Sequence, residues 1–486
     1  MTARRLKLIA AALFAATMCS FVVADLDRKA LVDRLSVPKQ SLNLYISFSN
    51  RELKPRIADP LADIHAAAAK IGAGTDDAET HLHLADALGQ ADRGDEAGRE
   101  YAKAADMYEP VVKAHPQDWN ARLAYGKALS HAQRVGESLD QFEAAANGDP
   151  KLWEAMVEFV DGMTPLILEA RNGGKTEEAR KYIAAAQEMA ERAVKAAPDR
   201  PEPHISRFMS HWWEQFLTPG KGDGSGFSNY GTIAQDLHKA ADLAPQYPKL
   251  RLTAYFIELV PALAQCADTD DFAGAIAKLP QAFRDRMPAI EAGLTKIATS
   301  PDISEPTWLL LGIMSYFKGD AAEAVGRLQK ALDADPKESR ALELQIGLAM
   351  SKKDWPATDR LLEALVKRND NGRTRCWIGR VAAQKGDHAG AETAYRKAME
   401  MPDALPDALL GLGISILKRG GDANEAALKL RRAVEAAPDN ADAHLGLATA
   451  LALAGDREEA RKEIDVAGKL APDDARVRAT KGDFSK

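Results

Sequence analysis

The sequence predicts an all-α protein built as a solenoid of stacked helix hairpins, in two arrays separated by an irregular helical joint. Three observations carry this reading. Prolines recur at a near-constant interval: Pro116 and Pro150 lie 34 apart, Pro301 and Pro336 35, Pro402 and Pro438 36, and Pro438 and Pro472 34, while Pro336 to Pro402 spans 66, two intervals of 33. Between the prolines, small and large apolar residues stand at matching places. A Gly-Asp turn with a Glu three residues after the Asp splits the regular units into two helices. A period in this range marks repeated units that bury their apolar faces only against neighbours.

Residues 1–24 stand apart from that pattern. Arg4, Arg5 and Lys7 form a positive start, Leu8 to Val23 is free of charge, and Val22-Val23-Ala24 offers small residues before Asp25. This is the make-up of a secretory signal peptide. An uncleaved membrane anchor is the rival, because the apolar run is close to the shortest that spans a bilayer. Met18 before Cys19 does not suit a lipoprotein signal, and Lys7 does not suit twin-arginine export. Residues 25–77 read as a lead-in without repeats, helical near 60–72, with a strand-like run at Asn43–Phe48.

The body is alanine-rich with 46% hydrophobic and only 6% aromatic residues, a mix that suits closely packed helix pairs. Removing residues 1–24 takes away three positive charges and moves the net charge from −7 to −10. An acidic body with no Lys/Arg block argues against a nucleic-acid partner. Cys266 and Cys376 are 110 residues apart, so in a linear array a disulfide between them is not expected.

Units fall near 78–118, 119–152, 153–200 and 201–248, then 305–338, 339–371, 372–405, 406–440 and 441–474. Each closing proline follows an Ala-rich helix, as Ala145 precedes Pro150 and Ala433 precedes Pro438, and proline cannot continue that helix. In 305–338, Trp308, Leu311 and Gly312 mark the first helix, Gly319-Asp320 the turn, and Ala324, Leu328 and Ala331 the second. In 441–474 the matching residues are His444, Leu447, Ala448, Gly455-Asp456, Ala460, Ile464 and Ala467. Gly suits the left-handed turn, and Asp320-x-x-Glu323 and Asp456-x-x-Glu459 are helix-start boxes. The units at 78 and 153 carry an overlong second helix, and the unit at 201 a Gly-rich insertion, Thr218 to Thr232. Residues 249–304 are the joint, with Pro261, Pro280 and Pro288 expected to break it into short helices; 475–486 is a tail.

This pattern of small and large residues resembles the tetratricopeptide repeat family over roughly three quarters of the chain. The resemblance implies a right-handed superhelical solenoid of tetratricopeptide-type hairpins that binds a protein or peptide. It also implies a concave groove lined by positions 2, 5, 9, 12 and 13 of each first helix. In the C-terminal array these include Leu309, Ile313, Tyr316 and Phe317; Met350; Arg373, Cys376, Arg380 and Gln384; Leu410, Ile414 and Leu417; and Leu445 and Thr449. Positions 5 and 9 are apolar in the units at 305 and 406, unlike the Lys and Asn with which some members grip a carboxylate. Packing of a tight superhelix is the alternative use of the same side chains.

Chemistry finds no foothold. Gly173-Gly174-Lys175-Thr176 lacks the upstream Gly of a phosphate loop, with Glu169 in its place, and a helix turn capped by Thr176 is favoured. Around Ser225 in Gly220–Gly226, Asp223 and Phe227 stand where a nucleophile elbow needs glycines, and a calcium loop would have Asp223 alone. His81 and His83 point to different helix faces and cannot chelate together. One of Trp212 and Trp213 is expected in a hairpin core. No catalytic, cofactor or metal site is expected. The reading is an exported adaptor, periplasmic or secreted, that holds a partner segment in the groove. The alternative is a transport-associated accessory protein binding a small apolar ligand near 201–304, with an enzyme using the Gly-rich insertion the least supported.

Overall fold

The computed structural model describes residues 60–74, 76–217, 226–266, 281–336, 339–401, 406–438, 440–471 and 474–484, without the side chains of 215–217, 226–232, 260–266, 317, 406–407 and 482–484. The proposed signal segment, Asn43–Phe48 and residues 218–225 of the insertion lie outside the described residues. Among these there are 22 α-helices and no strand, an all-α helical-repeat solenoid. The chain divides at Ala254 into two units.

In the unit of residues 46–254, a lead helix α1 (Pro60–Gly72) is followed by four hairpins: α2 (Ala78–Gln90) with α3 (Gly94–Ala114), α4 (Trp119–His131) with α5 (Val135–Gly148), α6 (Trp153–Asn172) with α7 (Thr176–Ala196), and α8 (Pro201–Leu217) with α9 (Gly226–Leu243). The division falls inside α10 (Pro248–Cys266). The second unit continues with α11 (Gln281–Ile297) and a 3-10 turn, Pro301–Ile303. Its hairpins are α12 (Ser304–Phe317) with α13 (Ala321–Ala334), α14 (Arg340–Ser351) with α15 (Trp355–Arg368), α16 (Gly372–Gln384) with α17 (His388–Met399), α18 (Pro406–Lys418) with α19 (Ala423–Ala436), and α20 (Ala441–Ala454) with α21 (Arg457–Leu470), then α22 (Ala475–Phe484).

Local chemistry sets the ends of these helices. Asp320 accepts from Glu323 N at 2.9 Å, Asp354 from Ala357 N at 3.1 Å and Asp456 from Glu459 N at 3.1 Å, each satisfying one of the free donors of a first turn. Gly319 and Gly455 occupy the left-handed region, at φ +81 and +95. Thr176 is no cap: it begins α7, and Lys175 occupies the cap position without a side-chain capping bond.

Three expectations are corrected. Pro261 lies within the bounds of α10 and Pro288 inside α11, so neither ends its helix as expected, while Pro280 lies outside the described residues; Pro110 and Pro165 likewise lie inside α3 and α6. Pro110, Pro165 and Pro288 are exposed. A proline on the outer side of a helix leaves its freed carbonyl facing water, while the inner face holds the helix in place. In α11 that inner face is Met287, Ile290 and Leu294, all buried. The unit at 153 also has a long first helix, of 20 residues, beside its 21-residue second. Finally, α9 starts at Gly226, so the second half of the expected insertion is helical.

Close packing uses small residues against large ones. A Cβ at Gly379 would stand 2.8 Å from the Tyr395 ring, and one at Gly126 2.5 Å from Phe142. Trp212 and Trp213 are both buried. At the end of the second unit, Val477 of α22 joins Ala448, Ile464 and Ala467 in one buried cluster, so the sequence's tail closes the last hairpin.

Candidate functional site

The candidate surface is the row of first helices α12, α14, α16, α18 and α20 in the second unit. Such a helix meets its own second helix and the elements on either side, so much of its circumference is removed from water. In α14 this is complete: every residue from Ala341 to Met350 is buried.

The residues singled out from the sequence therefore separate into two groups. Leu309 and Ile313 are each 2% exposed, Met350 5% and Leu410 4%; all four serve the packing of the array. Leu410 and Cys376 belong to the cluster that joins α16 to α21. Tyr316, Ile414 and Leu417 are half-buried, as are Leu445, Thr449 and Gln384. Ile414 and Leu417 pack along the edge of the same cluster and stay partly exposed. The side chain of Phe317 lies outside the described residues.

The two arginines are held by the fold. Arg380 is buried and lies over the Trp377 ring, its guanidinium carbon 4.6 Å from the centroid. Arg373 grips Glu343 with three bonds of 2.8 to 3.1 Å. Sequence reasoning passed over Glu343. Its signal was present, an acid within an apolar run, with an arginine 30 residues on.

Charge elsewhere in this unit also links hairpins. Glu291 of α11 receives Lys318 and Arg327, and Glu392 of α17 receives Arg396 and Arg419. Burial pushes both carboxyls up, but the bonds from their cationic partners outweigh it and hold them below the usual carboxylate range. Among the described residues there is no group of three His, Cys, Asp or Glu side chains placed to hold a metal ion, and no helix long and apolar enough to cross a membrane.

With this geometry the surface offers half-buried apolar side chains on α12, α18 and α20, with the charged Glu343 and Arg373 between them already paired. Family models of the tetratricopeptide repeat match residues 88–151, 359–408 and 417–483. Tetratricopeptide repeats are present in both units. Proteins built from them generally mediate protein–protein interactions, and the fold is typically a non-catalytic scaffold.

No curated protein matches the chain. Among solved structures it is similar to yeast Tom70, with 14% identity over 88% of this chain and 96% of that one, at a TM-score of 0.45. It is also similar to YrrB, a TPR protein with an unusual peptide-binding site (19% identity, 39% and 97% covered, TM-score 0.30). A third is the TPR protein TTC0263 of Thermus thermophilus, at 21% identity with 37% and 98% covered and a TM-score of 0.29. At these identities the likeness is one of fold alone.

Proposed function

We propose that the chain is an extracytoplasmic interaction scaffold that holds a segment of a partner protein along α12 to α20. The observation that carries the reading is the half-buried set Tyr316, Ile414, Leu417 and Leu445, which lies on the first helices α12, α18 and α20 of one array. Apolar side chains that are anchored by packing yet keep part of their surface free bind at low ordering cost. Leu309, Ile313, Met350 and Leu410 are buried in the packing of the same array.

Export rests on Arg4, Arg5 and Lys7, the uncharged run Leu8 to Val23, and Ala24 before Asp25. The native protein then begins near Asp25 and is recovered outside the cytoplasm. N-terminal sequencing of the native protein checks this, and an intact Met1 on the soluble protein overturns it.

Partners recovered with the tagged full chain are tested against Tyr316→Ala combined with Leu417→Ala. Loss of about tenfold in affinity with unchanged helicity and melting supports the groove, since two anchors of about 1 kcal/mol each suffice. Unchanged affinity places the partner elsewhere.

A further inference from the structure

Four hairpins carry His or Arg at the same place in the first turn of their first helix: His81, Arg122, His204 and His444. His444 of α20 points Nε2 at the carbonyl oxygen of Pro438 at 2.9 Å, six residues back in the turn that ends the preceding hairpin. His204 of α8 does the same to Pro198 at 3.0 Å, and Arg122 of α4 donates from Nε to Pro116 at 2.9 Å, both again six residues back. The other end of the same side chain reaches the second helix of its own hairpin. His444 Nδ1 lies 2.5 Å from Glu463 and Arg122 Nη1 2.8 Å from Gln141, in both cases 19 residues on. His81 of α2 repeats the spacing, with Nδ1 2.5 Å from Glu100, also 19 on, and Nε2 2.7 Å from Asp76 in the turn before its helix. All three histidines are 5% exposed.

We infer that His444 and His81 are proton-dependent latches that tie a hairpin to the turn leading into it. A peptide carbonyl and an ionised carboxylate only accept hydrogen bonds. A neutral imidazole can donate one bond and an imidazolium two. Both bonds of His444 therefore form together when the ring carries two protons, and removal of one proton releases either the turn or the second helix.

The charged groups that face His444 fit this. Glu463 comes from α21; Asp442, on its own helix, is held by Arg476 of α22 at 2.9 Å. Among the described residues, α18 and α19 contribute no bond to the ring. Around His81, Glu100 of α3 also holds Lys103, and Asp77 beside Asp76 caps Thr80. His204 is the incomplete case. Its Nδ1 stands 3.5 Å from Asp236, which Arg207 holds from the same helix.

Arg122 provides the internal control, because its guanidinium makes the same two contacts and keeps its charge at any working pH. Hydrogen exchange followed by mass spectrometry on the full chain, at about pH 5.5 and about pH 8.5 to span the range of histidine titration, reads both latches once intrinsic exchange is corrected. Protection over 437–447 is expected to fall about fivefold more than protection over 115–125, the factor that one lost hydrogen bond sets. In His444→Gln the excess fall at 437–447 disappears, and in His444→Arg protection is kept at both pH values. Equal falls in the two segments of the wild-type chain overturn the inference, as does an excess fall that survives in His444→Gln. Both readings are ratios within one molecule, so a general loss of stability in a variant leaves them legible.

Discussion

The guanidinium of Arg373 lies against the carboxylate of Glu343 one hairpin earlier in the chain, with Nε 2.8 Å from one oxygen and Nη2 2.9 Å from the other. The Glu343 side chain is 1% exposed and that of Arg373 27%. A buried charge stripped of its partner is far costlier than no charge at all. Arg373→Met should therefore lower stability by about 3 kcal/mol, and Glu343→Met added to it should restore a large part of the loss. Urea titration of the helical signal measures both; equal midpoints for the single and double variants would show that the pair has no part in coupling the hairpins.

Turns within the hairpins offer a second test. Gly174, Gly319, Gly386, Gly420 and Gly455 adopt positive φ, but the corresponding turns hold Asp92 at φ +58, Gln133 at +64 and Lys353 at +54. A side chain is strained there and glycine is not. Lys353→Gly and Gln133→Gly should each raise stability by about 0.5–1 kcal/mol. Asp92→Gly should gain less, since aspartate tolerates that conformation. A melting series of the three variants checks the order.

The contact between Gly379 and Tyr395 predicts the opposite sign. An added methyl at 2.8 Å from the ring must displace it, and the same ring lies over Gly411 on the next first helix. Overpacking of this kind costs about 1–3 kcal/mol, so Gly379→Ala should melt well below the wild type. Gly326→Ala, with open space around its Cβ, should not.

Acid should loosen the array. Glu100, Asp236, Glu291 and Glu392 are each pushed up by burial, yet bonds from Lys103 and His81 to Glu100, from Arg207 to Asp236 with His204 close by, and from the partners of Glu291 and Glu392 hold them lower in the folded chain than in the unfolded one. Such groups contribute stability above the unfolded carboxylate range, and it is lost as pH falls through their lowered values. Urea midpoints taken from neutral pH downward should decline below about pH 4.5, and less steeply in a chain carrying Glu392→Gln. A midpoint that stays flat to pH 3 would remove these carboxylates from the account of stability.

What could be read along the chain is what short-range chemistry decides. The Asp320 and Asp456 caps, the glycine turns and the prolines that end hairpins each involve residues within one turn of helix, so the hairpin period was legible before any contact was known. Even here short range failed where burial outvoted it, at Pro288: the buried inner face kept α11 helical past a residue that ends helices elsewhere.

The candidate surface depended on contacts 19 to 30 residues apart. Sequence position placed Leu309, Ile313, Met350 and Leu410 beside Tyr316, Ile414 and Leu417 as equals. Stacking of neighbouring hairpins then closed over the first four and left the others partly open. The Arg373–Glu343 grip and the His444–Glu463 bond join different helices, with separations of 30 and 19 residues. The sequence by itself determined the repeat, because helix ends and turns are set by bonds that close within a few residues. Which face stays open, and which charges meet, was decided only by tertiary packing, because exposure belongs to the assembled neighbours and not to any one segment.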